Sequence, residues 1–300
     1  MKTIEFNDVR RAFVKGVDAL KGISFDVDSG EVVGLLGRNG AGKTTLIRIA
    51  MGMLECQGGG VRLFGLDPRQ KPIDVKRRVG YVSEDQVLPP FLRVNEVIAL
   101  HRKLFEHWDE DMAHGMQERF GVPLDKKISQ LSKGQARQVA LLCAVSHGPE
   151  LLLLDEPAGG LDPAARREFL ETSINLLNDA GSTILFSSHH LNDVERMAGR
   201  VVLIHEGDLL IDSDMDRMHE DYSIALVPYE ANGGGSLKAT LASHGDCVAV
   251  RERSDAMHAV FSTGPDRAEQ LLTRDLGISG AHCRNAALEE MFIELVEGQS

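Results

Sequence analysis

The chain is 300 residues long, 43% hydrophobic, and carries a formal net charge of −12. That length suits one large α/β domain with a small companion, and the acidity argues against a surface that wraps nucleic acid. No apolar run reaches the ~18–20 residues that span a bilayer, so a membrane role would need a partner.

In chain order, residues 3–36 read as short strands with turns at 14–18 and at Asp28-Ser29-Gly30. The apolar stretch from Glu31 to Leu36 reads as a buried strand. It feeds Gly37-Arg38-Asn39-Gly40-Ala41-Gly42-Lys43-Thr44-Thr45, after which residues 45–51 read as a helix. Further strands are expected at 61–64 and 79–82. From 95 to about 120 the apolar spacing turns helical, with Val97, Leu100, Leu104, Phe105 and Trp108 apolar. A helix at 134–146 precedes an apolar strand at 151–154. Then come a helix (163–178), a strand (183–187), a helix from Leu191, and strands near 201–204 and 209–211. Strands alternating with helices predict a mostly parallel sheet.

From Tyr222 the order is strand, helix (237–244), strand (246–251), strand (257–262), helix (265–273), strand (near 278–284) and helix (287–296). This resembles a small split βαβ, ferredoxin-like unit of α+β class. Residues 229–236, rich in glycine, form a loop inside it, and the boundary falls near 214–221. The chain thus divides into 1–215 and an accessory, regulatory 216–300. Leu288, Met291, Phe292 and Leu295 form the core stripe of its last helix. His244, His258 and His282 stand alone in sequence and read as solvated or packed.

The segment from Gly37 is a phosphate-binding loop. Its glycines let the backbone curl round phosphates with N–H groups facing inward, and a helix N-terminus behind them adds partial positive charge. Lys43 is placed to reach the β- and γ-phosphates of a nucleoside triphosphate, and the Thr44 hydroxyl to ligate Mg²⁺. The strand Leu151–Leu154 then delivers Asp155 and Glu156 at its C-terminal end, where α/β sheets place ligands. Asp155 would hold Mg²⁺ through its water shell, and Glu156 would orient and deprotonate an attacking water. Between these motifs, Leu131-Ser132-Lys133-Gly134-Gln135 opens a helix, an arrangement that caps the helix and offers an anion site.

Taken in this order, residues 2–215 resemble an ATP-binding-cassette (ABC) ATPase, the nucleotide-binding subunit of an ABC transporter. The resemblance implies a P-loop NTPase cassette with a mostly parallel core sheet, an antiparallel β subdomain and a helical subdomain at about 85–145. It implies ATP and Mg²⁺. Phe13 would stack on adenine, the alternative being a core phenylalanine. Gly37, Arg38, Asn39, Gly40, Ala41, Gly42, Lys43, Thr44 and Thr45 would hold the phosphates. Ser132, Gly134 and Gln135 would cap the ATP of a second copy. Gly160-Leu161-Asp162 would communicate across that dimer, and His189 would serve as switch on the γ-phosphate, with His190 a bystander. Catalysis would rest on Glu156, His189 and Lys43, and the metal on Thr44, Asp155 and Glu84.

Two positions depart from the family pattern. Ser83-Glu84, with Gln86 beyond, stands where a glutamine is usual, and Lys133 stands where glycine is commonest. Glu84 keeps a hard oxygen ligand but adds charge. The last helix resembles that of bacterial exporter-type cassettes with separate permease subunits. The expectation is therefore an active ATPase whose partners are a second cassette (a homodimer) and integral-membrane permease subunits, with no nucleic acid. It would lie in the cytoplasm, peripheral on the inner face of the cell membrane. The single cysteines Cys56, Cys143, Cys247 and Cys283 fit a reduced compartment, and the N-terminus shows no signal-peptide block. An importer ATPase, a soluble non-transport ABC ATPase acting on a macromolecular complex, and a catalytically dead binding subunit are the alternatives.

Overall fold

The computed structural model describes residues 1–14, 16–84, 88–178, 181–229 and 235–296. It separates into two compact units, Met1–Leu209 and Leu210–Ser300.

In the first unit, β1 (Lys2–Val14) pairs antiparallel with β2 (Val17–Asp28) and with β4 (Gly58–Leu63). Alternate side chains, Ile4 and Phe6 on β1 and Ile23, Phe25 and Val27 on β2, turn inward as a two-residue period requires. The rings of Phe6 and Phe25 meet at 4.7 Å. This is the expected antiparallel subdomain, in two long strands rather than several short ones.

The central sheet has six strands: β3 (Val32–Leu36), β5 (Val79–Val82), β6 (Leu151–Leu154), β7 (Thr183–Ser188), β8 (Arg200–His205) and β9 (Asp208–Asp214). Their order is β5-β6-β7-β3-β8-β9, with parallel pairing from β5 through β8. All four leucines of β6 are fully buried, so both faces of that strand are covered, as parallel sheets demand. Following β3 is α1 (Lys43–Ala50); α6 (Pro163–Asn178) and α7 (Leu191–Met197) flank β7 in the chain. Because β3 and β6 stand on either side of β7, the loops after all three open at one edge.

The helical part contains α3 (Val94–Leu104), α4 (Glu110–Phe120) and α5 (Lys133–Val145), and the short α2 (Pro72–Lys76) precedes β5. The expected continuous helical stretch at 95–120 is broken. Phe105 is extended, and the Asp109 carboxylate accepts the Met112 N–H at 2.8 Å, which starts α4 afresh. Leu100 and Leu104 face solvent rather than a core.

After β9, the second unit contains α8 (Met218–Asp221), β10 (Ser223–Val227), α9 (Gly235–Ala242), β11 (Cys247–Glu252), β12 (Met257–Phe261), α10 (Pro265–Gln270), β13 (His282–Asn285) and α11 (Leu288–Val296). The sheet is antiparallel in the order β11-β12-β10-β13, the split βαβ arrangement. The glycine-rich loop falls mostly at 230–234, outside the described residues. Of the two readings offered for His258, solvated or packed, the structure shows the packed one. Its Nδ1 lies 3.0 Å from Oε1 of the buried Glu294, which also takes Arg253 at 2.9 Å and has Arg251 at 3.9 Å. A helical stripe assigns Leu288, Met291 and Leu295 to the core correctly, but it cannot show a glutamate held by Arg251, Arg253 and His258.

Candidate nucleotide-binding site

The loop between β3 and α1 needs glycine for two separate reasons. Gly40 and Gly42 hold φ of 85° and 112°, the left-handed region. Gly37 is crowded instead: a β-carbon there would lie 2.4 Å from the Ile204 carbonyl oxygen of β8. The Lys43 side chain is buried. Its Nζ donates to the Gly37 carbonyl at 2.7 Å and the Arg38 carbonyl at 3.3 Å, and lies 3.0 Å from Glu156 Oε1.

β6 ends at the two acids. Asp155 Oδ1 accepts the hydroxyl of Thr44 at 3.0 Å and that of Ser187 at 2.9 Å. Burial raises the Asp155 pKa, and the two hydroxyl donors oppose that rise. Glu156 sits at φ 46°, unusual for a residue with a β-carbon. Its backbone N–H donates to Ser187 Oγ at 2.8 Å, and Oε2 lies 2.9 Å from His189 Nδ1. The contact of Oε1 with Lys43 is one of charge, since its angles do not make a hydrogen bond. One buried carboxylate thus joins the phosphate loop to the end of β7. The ring of His190 meets that of His189 at 3.9 Å. Burial, followed by the proximity of His189, lowers the His190 pKa.

A cleft of about 470 Å³ opens beside these groups, lined by Phe13, the β2 residues Val17 to Ala19, the loop from Arg38 to Thr45, Glu84 and Glu156. Phe13 is 60% exposed, which removes the core alternative, and the Arg11 guanidinium lies 5.1 Å from its ring centroid. Glu84 enters the same cleft. Gln86, the other candidate on that segment, lies outside the described residues. Thr44 and Asp155 supply hard oxygens 3.0 Å apart, and Glu84 lines the same cleft as Thr44. That donor set fits Mg²⁺, which takes few protein oxygens and completes its shell with phosphate and water.

Ser132, Gly134 and Gln135 do not line this cleft. Ser132 caps α5, its Oγ accepting the Gln135 N–H at 3.2 Å while the Gln135 side chain accepts the Ser132 N–H at 3.1 Å. Gly134 lies against Leu161, where a β-carbon would come within 3.1 Å of Cδ2. Asp162 Oδ1 accepts the Ala165 N–H at 3.1 Å at the start of α6. Two residues with a part here went unnoticed in sequence. Arg137 donates to the carbonyls of Gly159 and Glu84, tying two segments of the site to α5. Ser187 bonds both acid positions. The available signal for Ser187 was its place in the polar pair that ends β7 just before His189; Arg137 reads as an ordinary helix residue.

A family described as ABC transporter matches residues 20–159. The bacitracin transport ATP-binding protein BcrA of Bacillus licheniformis is 32% identical over 95% of this chain and 93% of its own. The chain belongs to the ABC transporter ATP-binding family. A second family, described as AAA domain, putative AbiEii toxin, Type IV TA system, matches residues 127–192 within the same cassette. The ABC transporter ATP-binding protein YtrB of Bacillus subtilis is 26% identical over 99% of both chains. A solved structure described as an ATP binding subunit of an ABC transporter superposes with a TM-score of 0.66, at 29% identity, over 72% of this chain and 92% of that one. A dimeric ATP-binding cassette bound to ADP and Pi, MJ0796, has the same fold, with a TM-score of 0.63 at 21% identity over 71% of this chain and 98% of its own. The P-loop ABC cassette fold expected from the motifs is therefore the observed one, and the family is that of nucleotide-binding ATPases.

Proposed function

We propose that this ABC protein is the ATP-hydrolysing subunit of a membrane exporter. The observation that carries the reading is Glu156, a buried carboxylate held between Lys43 and His189 beside the phosphate loop. In this reading adenine stacks on Phe13, the backbone from Gly37 to Thr45 cradles the phosphates, and Lys43 exchanges its loop carbonyls for β- and γ-phosphate oxygens. Thr44, Asp155 and Glu84 would hold Mg²⁺, which when bound would supply charge neutralisation on the phosphates. Glu156 takes a proton from water as the water oxygen bonds to the γ-phosphorus and the β–γ bridging P–O bond breaks toward ADP. His189, on Glu156 Oε2, orients the base and reaches the γ-phosphate.

Ser132, Gly134 and Gln135 stand apart from the cleft, which supports a head-to-tail dimer in which they close over the ATP of a second copy. Permease subunits are the remaining partners. Among the described residues no helix is long and apolar enough to cross a membrane, so attachment to the inner face would run through them. Phe91 is 70% exposed, and with Leu100 and Leu104 it offers apolar anchors for a permease helix. Leu92, Phe105 and Trp108 of the same stretch are half-buried and contribute less. Export is favoured by the relatives named for bacitracin transport and for linearmycin resistance. We take 216–300 as an accessory unit outside the chemistry.

The test is purification of Glu156→Gln and Lys43→Ala proteins with native membranes present. Hydrolysis lost in the first with ATP binding kept, ATP binding lost in the second, and a membrane protein crosslinked from Phe91 are expected. Near wild-type hydrolysis by Glu156→Gln refutes the base. Crosslinks confined to ribosomal proteins refute the transporter reading.

A further inference from the structure

Ser187 has no exposed surface, and its two hydrogen bonds have directions that the partners dictate. A carboxylate accepts, so the hydroxyl proton points to Asp155 Oδ1 at 2.9 Å; a backbone N–H donates, so the hydroxyl oxygen takes the Glu156 N–H at 2.8 Å. One side chain of β7 therefore satisfies both acid positions of β6. The parallel register aligns Leu154 with Phe186, so the next step along both strands brings Ser187 beside Asp155. A register slip of one residue would turn it to the other face.

We propose that Ser187 is the positioning residue for hydrolysis, acting through Glu156. This rests on the reading of Glu156 as the base. Glu156 must hold a left-handed backbone at φ 46° to send its carboxylate between Lys43 and His189. A residue with a β-carbon keeps such a conformation only where its surroundings hold it. The surroundings here are two grips from one strand end: Ser187 on the backbone N–H, and His189 on the side chain. Thr44 shares Asp155 Oδ1, but Thr44 faces the cleft and is the hydroxyl that Mg²⁺ would recruit. Ser187 does not line the cleft, so its bond to Asp155 persists when Thr44 turns to the metal. Alanine at 187 leaves a buried N–H and a buried carboxylate each short of one partner.

The experiment compares Ser187→Ala and Ser187→Thr, each alone and with Glu156→Gln, in steady-state ATPase assays, thermal unfolding and titration with a fluorescent ATP analogue in EDTA. Ser187→Ala is expected to lower kcat about tenfold, the scale of one transition-state hydrogen bond, while KM changes by less than about twofold. Its affinity for the analogue in EDTA stays within about twofold of wild type. Added to Glu156→Gln, Ser187→Ala costs less than about twofold, because residues that act as one unit are not additive. Ser187→Thr keeps the hydroxyl and restores most of kcat. Wild-type kcat in Ser187→Ala overturns the proposal, as does a full tenfold loss repeated in the Glu156→Gln background. A folded Ser187→Thr protein as slow as Ser187→Ala also overturns it. Near wild-type hydrolysis by Glu156→Gln alone removes the base assignment itself, a failure distinct from that of Ser187.

Discussion

Glu156 keeps a nitrogen on each oxygen, Lys43 Nζ at 3.0 Å and His189 Nδ1 at 2.9 Å. Replacing it with glutamine preserves the shape but removes the charge and the proton acceptor. Turnover should fall by ~10²–10⁴, the usual worth of a general base, with ATP affinity little changed. Lys43→Ala should weaken ATP binding by at least about a hundredfold, measured with a fluorescent analogue, because a buried charge-assisted contact is lost. A different residue governs acid stability. His147 is buried and its ring stacks on that of Phe105 at 3.9 Å. Burial pushes its pKa down to about 4 from an ordinary value of 6.5, and the nearby His101 and His107 add to the fall. The folded pKa is depressed, and for a histidine the neutral ring is the folded form. The fold therefore keeps its full stability above pH 6.5 and loses this contribution as pH drops toward 4. His147→Phe keeps the stacking and takes no proton, so its thermal midpoint should fall less than that of wild type across this window. Equal acid sensitivity would refute the argument.

Among the elements, α5 separates a structural role from a ligand role. Ser132 caps it, and Ser132→Ala should cost about 0.5–2 kcal/mol of stability, as loss of such caps does. Ser132→Asp retains a capping oxygen but puts negative charge where the phosphates of a second copy would lie. That protein should unfold near the wild-type temperature and still lose most of its ATPase activity, whereas retained activity would make Ser132 only a cap. α11 is fastened by its buried Glu294 to Arg253 and His258. Glu294→Leu removes the buried acceptor shared by Arg253 and His258 and should lower the stability of this unit. Limited proteolysis should cut residues 210–300 faster in that variant while ATP binding in the first unit stays intact. Boundaries were least legible at this scale. The apolar spacing of 95–120 suits a helix throughout, yet Asp109 starts a new one, since the N–H groups of a fresh first turn find its carboxylate.

For the whole molecule, the dimer and the accessory unit are the matters to test. Glu156→Gln with ATP and Mg²⁺ should run as a dimer in light scattering and as a monomer without nucleotide; a strict monomer in both would point to an obligate heteromer. A chain ending at residue 216 should bind ATP as the full protein does, but need a higher concentration for half-maximal ATPase activity. The reason is that a tether raises the effective concentration of the second half-site. If that truncated protein folds and cannot bind ATP, residues 216–300 belong to the site.

By itself, the sequence determined the phosphate loop, the acid pair, the strand order along the chain and the split βαβ pattern of residues 222–296. These are local: glycine spacing, apolar runs and cap residues act through the few residues on either side, so they are readable in one dimension. Only the tertiary structure decided what converges. Phe13 and Glu84 reach the cleft of the phosphate loop, Ser187 binds two residues more than thirty positions earlier, and Glu294 gathers Arg253 and His258. Each of these pairings depends on sheet register and burial, which set the distance between groups far apart in the chain and fix the cost of leaving them unpaired.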